Sequence, residues 1–275
     1  MSFYDDVKGI DEVRQFFGTD IDGPPVVIDM TNVAEYIMAD RERTWSFHDF
    51  PNLAPPFERF WMEYKAPHDR TGSVDVRYAL AVVATDVADI DTDDEWRATR
   101  WVMNARVFTG QYGKFVGLVD AYMMIGYDGA VVSQRIYASE FYDKAREQNP
   151  NHPTPFLLLA PFALALSFMH CKNVEMERHD PPPLSRVLER RGIKPRVRYH
   201  TLVIEPMKQV LRREGQSDKT GLKRALHICR GHFKDYSKHG LFGKYKGMYW
   251  WESHARGSAD EGVVIKDYAV KQPRA

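Results

Sequence analysis

The central part of the chain contains successive apolar and aromatic runs that are typical of β-strands. Five segments between residues 60 and 139 are rich in β-branched and aromatic residues, and turn-forming residues separate them. The segments are FWMEY at 60–64, VRYALAVVATD at 76–86, WRATRWVMNARVF at 96–108, KFVGLVDAYMMIGY at 114–127 and AVVSQRIYAS at 130–139. Asp128-Gly129 is the best hairpin signal among the turns. The pattern predicts an antiparallel meander of four or five strands.

Helical patterns flank this region. Residues 1–22 predict a short helical lead, and a brief strand at 26–28 precedes a helix that Asp29 or Thr31 caps and that runs to about Arg41. Further helices are expected at 140–148, 155–170 and, in the basic sequence SRVLERRG, 185–192. The apolar run at 156–169 is shorter than the roughly 20 residues that span a bilayer, so we expect a buried helix packed across the sheet.

These elements predict an α+β fold: a mainly antiparallel sheet with a few packed helices. A chain of 275 residues can form one large domain, and we expect a single α+β domain over residues 1–275. The Pro-rich stretch at 180–183 marks a candidate subdomain boundary. It would separate an N-terminal β-meander with its helix from a basic C-terminal β-hairpin region.

The C-terminal region predicts a hairpin of its own. Residues 226–236, LHICRGHFKDY, fit a helix by some spacings, but Gly231 would interrupt a helix and the pattern alternates, so a strand is favoured. Three glycines, at 240, 243 and 247, then predict a loop. KGMYWWESHAR at 246–256 would return as the partner strand, and GVVIKDYAV at 262–270 would form a last strand.

Charge is distributed unevenly along the chain although the formal net charge is zero. Residues 186–275 hold 21 Lys and Arg against 9 Asp and Glu, while residues 1–185 hold 17 against 29. A basic C-terminal third indicates an anionic partner, nucleic acid first, although attraction between the two parts or scattered surface charge would give the same counts.

The predicted hairpin interleaves lysines with aromatic residues. Lysines bind phosphates through charge, and aromatic rings stack on unpaired bases. We therefore expect a nucleic-acid-binding surface, with RNA or single-stranded DNA favoured; some of the aromatic residues must instead face the core. The candidate residues are Lys234, Lys238, Lys244, Lys246, Tyr245, Trp250 and Trp251.

The same hairpin carries residues that could act as a metal-independent nuclease. Histidine can donate or accept a proton at neutral pH, and arginine can stabilise a developing phosphate charge. The candidate catalytic residues are His232, His254, Arg230, Arg256 and Tyr236. Structural or solvent-facing histidines are the competing interpretation, so enzymatic activity stays open. A third alternative is a non-catalytic protein that binds a host factor through its acidic N-terminal part.

Common cofactor and metal motifs are missing from the sequence. His227, Cys229, His232, His239 and His254 could ligate zinc, but no CxxC pair occurs and their spacing matches no standard zinc motif. GxGxxG and P-loop patterns are absent. We expect no cofactor and no metal. The acidic N-terminus does not resemble a signal peptide, so we expect a cytoplasmic protein with no membrane partner.

Two C-terminal segments carry a family resemblance: RALHICRGHFK at 224–234 and GLFGKYKGMYWWESHARG at 240–257. They resemble an uncharacterised group of tailed-phage and prophage proteins with an H-x-V-R-G-H-aromatic-basic stretch, then H-x-R-G and K-D-Y. Segments at 171–175, 182–195 and 198–206 are also similar to that group, with departures at several positions. The resemblance covers roughly the last hundred residues. It implies a phage or prophage origin, hence the host cytosol, and no established activity.

Overall fold

The computed structural model of the protein describes most of the chain and divides it into two compact units. The first unit comprises Met1–His170 and Glu175–Val203, and the second comprises Cys171–Val174 and Ile204–Ala275. The described residues are 2–18, 24–39, 45–67, 75–88, 94–111, 114–148, 153–186, 190–191, 196–205, 207, 209–210, 225–229, 231–251, 254–256 and 258–263. The Pro-rich stretch at 180–183 lies inside the first unit.

An eight-stranded sheet forms the centre of the first unit. Its strands are β1 (Val26–Asp29), β2 (Arg59–Pro67), β3 (Asp75–Asp86), β4 (Thr99–Gln111), β5 (Lys114–Gly126), β6 (Val131–Ala138), β7 (Val174–His179) and β8 (Tyr199–Ile204). They lie in the order β6-β5-β4-β3-β2-β1-β8-β7. Most of this sheet is antiparallel, which confirms the α+β fold class.

The predicted meander is present as β2 to β6, in which each strand pairs antiparallel with the next. The turn at Asp128-Gly129 closes β5 onto β6: Gly126 N donates to Ala130 O at 2.8 Å, and the Asp128 carboxylate accepts from Ala130 N. Gly129 has φ +81°, and a Cβ there would lie 2.0 Å from the side-chain oxygen of Asn52. This turn therefore requires glycine for its backbone angle and for space.

Strand β1 differs from the rest of the sheet because it pairs parallel with both neighbours, β2 and β8. Val27 and Ile28 are completely buried between them. A parallel pair needs a long crossover connection, and the segment between β1 and β2 contains a helix. The sequence predicted the strand but not its direction, since a four-residue run carries no information about its partners.

Helices cover the sheet of the first unit. They are α1 (Phe3–Val7), α2 (Asp11–Phe17), α3 (Thr31–Ala39), α4 (Asp94–Ala98), α5 (Glu140–Gln148) and α6 (Pro155–Met169). The predicted lead forms as α1 and α2, and α3 begins where Asp29 Oδ1 accepts from Thr31 N at 3.0 Å. Helix α5 has the predicted bounds.

The apolar helix α6 packs on the sheet as predicted. The Thr154 side chain caps its N-terminus, and eleven of its fifteen residues, 158–168, are buried. The Phe162 ring lies 5.4 Å from the Tyr64 ring of β2, and the Phe168 ring lies 5.9 Å from the Tyr36 ring of α3. Within the described residues, no helix is long and apolar enough to cross a membrane.

The prediction of a strand at 96–108 was wrong at its N-terminal end. Residues Asp94–Ala98 form α4, and β4 begins at Thr99. The Thr99 hydroxyl donates to Glu95 O at 2.7 Å, four residues earlier, and so closes the helical turn. Trp96 and Ala98 suit either structure, so the local sequence could not decide the boundary.

The second unit contains the predicted hairpin in two parts. Its strands are β9 (Ala225–Cys229), β10 (His232–Asp235), β11 (Met248–Trp251), β12 (His254–Arg256) and β13 (Ser258–Val263). Strand β10 pairs antiparallel with β11, and β9 pairs antiparallel with β12 in the same register. The preference for strand over helix at 226–236 is thus confirmed. The middle of the basic helix predicted at 185–192, and the last strand beyond Val263, lie outside the described residues.

Candidate nucleic-acid interface on the C-terminal hairpin

The loop between β10 and β11, residues 236–247, is ordered by its own backbone hydrogen bonds. Tyr236 N donates to Gly247 O at 2.8 Å, and Leu241 and Tyr245 exchange hydrogen bonds at 2.9 and 3.1 Å. Gly240 and Gly243 both have φ +70°, which glycine adopts without steric cost. The predicted glycine loop therefore presents its side chains from a defined backbone.

All four candidate lysines of the hairpin, Lys234, Lys238, Lys244 and Lys246, are exposed. Between His232 and Trp251 the sequence contains a single acidic residue, Asp235. The side chain and backbone of Ser237 donate to this carboxylate and lower its pKa, and Lys238 lowers it further. The loop and the two strands beside it are thus a positively charged surface.

The structure adds one lysine that the sequence analysis missed. Lys172 is exposed, and its backbone N donates to Met248 O at 2.8 Å. A Cβ at Gly247 would lie 3.1 Å from Lys172 Cγ, so the aliphatic part of Lys172 runs close to the loop backbone. No local pattern could have found this residue, because it joins the hairpin only through tertiary structure.

The neighbouring Asn173 attaches this segment to the hairpin. Its side chain is buried, accepts from Trp250 N at 3.0 Å, and donates to Trp250 O at 3.0 Å and to Glu205 O at 2.9 Å. One amide thus satisfies both backbone groups of a strand residue and a carbonyl of another segment. This network positions Lys172 beside the loop.

The candidate aromatic residues divide into two groups. Tyr245 and Trp250 are buried, at 8% and 4% exposure, so their rings pack in the unit's interior and are not available for stacking on bases. Trp251 is half-buried, and Lys234 Nζ lies 4.9 Å from its ring centroid. Phe242, which interleaves with the lysines at the tip of the loop, is 61% exposed. The accessible aromatic surface is therefore Phe242 with part of Trp251.

The candidate catalytic residues are not all neighbours in the strand register. His232 pairs with Trp251, and His254 pairs with Cys229, three residues before His232. The two histidines therefore belong to different strand pairs, β10–β11 and β9–β12. Arg256 pairs with His227.

The remaining members of that set are Tyr236 and Arg230. Burial raises the pKa of the Tyr236 hydroxyl, although a hydrogen bond with Trp251 acts in the opposite direction. Tyr236 packs against the small core of the unit. Arg230 lies outside the described residues. In the part of the chain that the structure describes, no three His, Cys, Asp or Glu side chains are grouped so that they could hold a metal ion.

Comparison of the chain with protein-family models, with curated proteins and with solved structures finds no match. The resemblance to tailed-phage and prophage proteins therefore stays a prediction. The functional proposal therefore rests on the chemistry of the hairpin residues.

Proposed function

We propose that the protein binds nucleic acid, single-stranded RNA or DNA in preference to duplex, through the loop and strands of the C-terminal hairpin. The proposal rests on a group of five exposed lysines at the loop of residues 236–247, which contains no Asp or Glu. The five are Lys172, Lys234, Lys238, Lys244 and Lys246. A polyanion is the partner that such a surface fits.

Lysine charge alone would bind any polyanion, so the preference for single strands rests on the aromatic residues. Phe242 presents an exposed ring at the tip of the loop, between Lys238 and Lys244 in the sequence. Only unpaired bases can stack on such a ring, and each stacking contact contributes about 1–3 kcal/mol. Duplex nucleic acid would keep the lysine contacts and lose this one.

The charge contribution is tested by titrating labelled single-stranded RNA, single-stranded DNA and duplex DNA at several salt concentrations. Each lysine that neutralises a phosphate of a single strand contributes about 0.7 to the salt slope. Replacing Lys234, Lys244 and Lys246 together by glutamine should therefore reduce the slope by about 2. Lack of salt-dependent binding to all three ligands would contradict the proposal.

Two single substitutions provide a matched control. Lys172→Gln removes an exposed charge beside the loop, whereas Lys144→Gln removes one from α5 in the first unit. We expect only Lys172→Gln to weaken binding and reduce the salt slope. Equal effects of the two substitutions would mean that the net charge of the protein, and not this surface, determines binding.

The stacking contribution is tested at Phe242. Phe242→Ala removes the ring, and Phe242→Leu keeps an apolar side chain without an aromatic face. Alanine and leucine both have a Cβ, so each must adopt the same positive backbone angle as phenylalanine, φ 54°. We expect both variants to lose affinity for single strands, by about fivefold or more for Phe242→Ala, and to keep affinity for duplex. An unchanged affinity of Phe242→Ala for single strands would exclude stacking on this ring.

A further inference from the structure

The first unit contains a cleft that the hairpin proposal does not use. It lies on the face of β4, β5 and β6, has a volume of about 600 Å³, and is also lined by residues of α2 and α4. A volume of this size is within the range of small-molecule sites. Its lining residues include Phe16, Trp96, Asn104, Tyr122, Ser133 and Arg135.

Strand register places the lining side chains in rows across the three strands. Tyr122 of β5 pairs with Asn104 of β4 on one side and with Arg135 of β6 on the other. In the next row, Met124 pairs with Val102 and with Ser133. Paired residues of antiparallel strands share a face of the sheet, so the Tyr122 ring is flanked by an amide and a guanidinium.

The floor of the cleft beside the row of Tyr122 is apolar and aromatic. Val102 and Met124 are buried together with Val87, and the rings of Trp96 and Tyr122 pack against this cluster. An aromatic-lined floor of this kind favours a flat, apolar ligand surface, because stacked or edge-on rings stabilise each other beyond simple burial.

The polar groups beside the floor are available to a ligand. Among the described residues, none forms a hydrogen bond with the side chain of Asn104, Ser133 or Arg135, and Asn104 and Arg135 are exposed. Asn104 can donate and accept, and Arg135 can only donate. Their strands are two spacings apart, about 10 Å, which accommodates one ring with a hydrogen bond on each side.

The charges of the cleft do not favour an anion. Arg106 donates to Asp120 at 2.9 Å and to Glu12 at 3.2 Å, and the hydrogen bond with Asp120 is the main cause that raises its pKa. Arg106 is therefore already neutralised. The lining of the cleft includes two acidic residues, Glu95 and Asp120, and two basic residues, Arg106 and Arg135.

We propose that this cleft binds a nucleobase: a planar ring with hydrogen-bond donors and acceptors on its edge. The ring stacks on Tyr122, and Asn104 and Arg135 bind its edge. The ring can belong to a free nucleoside or nucleotide, or to an unpaired residue of a strand. Because the cleft recognises the neutral ring, its binding does not depend on salt, in contrast to the hairpin. The proposal does not require the hairpin proposal to be correct.

The test uses the full chain and titrates adenosine, guanosine, cytidine and uridine, each with its 5′-monophosphate, by calorimetry. We expect saturable binding of at least one nucleoside, and similar affinity for its monophosphate at low and high salt. Asn104→Ala and Arg135→Gln should each weaken binding by about tenfold or more, since each removes hydrogen bonds to the ring. Saturable binding of none of the four nucleosides would overturn the proposal.

Two further variants locate the site. Ser133→Trp fills the cleft from the edge strand β6 and should abolish nucleoside binding. Arg146→Gln, on the exposed face of α5, is the matched control for Arg135→Gln and should not affect binding. Binding that survives Ser133→Trp would overturn the assignment to this cleft. A short single-stranded oligonucleotide then separates the sources. If Ser133→Trp also weakens oligonucleotide binding, the base comes from a strand; otherwise the ligand is a free nucleoside or nucleotide.

Discussion

The two units of the protein differ in how basic side chains are placed relative to carboxylates. In the first unit, surface arginines pair with carboxylates from other elements: Arg77 with Asp6, Arg100 with Asp86, and Arg106 with Asp120 and Glu12. In the second unit, the loop at 236–247 contains three lysines and no acidic residue. Arginine–carboxylate pairs fix the geometry of a surface, whereas a stretch of chain with several lysines and no acidic residue produces a positive field that attracts anions. The first unit therefore has basic side chains held by carboxylates, and the hairpin loop of the second has basic side chains without acidic neighbours in its sequence.

The interiors of the two units differ as well. The first unit buries large side chains completely, including Trp61, Phe60, Phe108 and Phe168. The core of the second unit contains Met207, Val210, Tyr245 and Tyr249, supported by polar contacts such as those of Asn173. We therefore expect the first unit to depend on apolar burial, and the second to depend strongly on a few hydrogen bonds.

The largest effect is expected from a core substitution in the first unit. Phe108 is completely buried, and its ring stacks on those of Trp61 and Phe115 at 5.8 and 4.7 Å. Phe108→Ala should lower the free energy of unfolding by about 3–5 kcal/mol, measured by urea denaturation. Phe141→Ala, the same change at a 52% exposed position, is the control and should have little effect. Similar effects of the two variants would contradict the proposed dependence on burial.

A smaller effect is expected at the polar anchor of the second unit. Asn173→Asp keeps the shape of the side chain but cannot donate to the carbonyls of Glu205 and Trp250. A buried carboxylate would then face two carbonyl oxygens, so the free energy of unfolding should fall by about 2–4 kcal/mol. Asn104→Asp makes the same change at an exposed residue. If both variants unfold at the same urea concentration as the wild type, Asn173 does not hold the hairpin.

Glu63 is the exception in the first unit, because it is a carboxylate inside an apolar core. It accepts hydrogen bonds from Phe3 N at 2.8 Å, Tyr4 N at 3.0 Å, Trp61 Nε1 at 2.7 Å and the Ser2 hydroxyl at 3.1 Å. These four bonds lower its pKa, but burial outweighs them, so the pKa of Glu63 is raised above its ordinary 4.5. The carboxylate anchors the N-terminus of α1 to strand β2.

The smallest effect is expected from the pH dependence of this group. A raised pKa means that the folded state holds a proton which the unfolded state has already lost, so the wild type should lose stability as pH rises above about 4.5. The side chain of Glu63→Gln cannot ionise, so the variant should not lose stability in this way as pH rises. The stability of the wild type relative to Glu63→Gln, measured by urea denaturation across pH, should therefore fall as pH rises. The opposite slope would show that the four hydrogen bonds outweigh burial.

Elements with strong local signals were predictable. The meander strands, α5, α6 and the strands of the hairpin follow from periodicity, turn residues and caps that act within a few residues. The Asp128-Gly129 turn is an example, since its geometry depends on one carboxylate and one glycine. The boundary between α4 and β4 was not predictable in the same way, because its residues suit both structures.

The candidate sites were less predictable than the fold. The sequence indicated the lysines of the hairpin, but it could not separate buried Tyr245 and Trp250 from exposed Phe242, because neither strand alternation nor the composition of a loop shows which side chains the rest of the unit covers. Exposed Lys172 joins the hairpin surface, and buried Asn173 anchors it there, through contacts between distant segments. The row of Asn104, Tyr122 and Arg135 exists only once three strands have a fixed register.

Local sequence patterns were enough to predict the α+β class, the meander, the apolar helix and the position of the basic hairpin. These features depend on the intrinsic periods of helix and strand and on the local chemistry of turns. Tertiary structure decided the parallel direction of β1, the residues that surround the hairpin loop and the existence of the cleft. Those features depend on which distant backbone groups pair, and a local pattern carries no information about that choice.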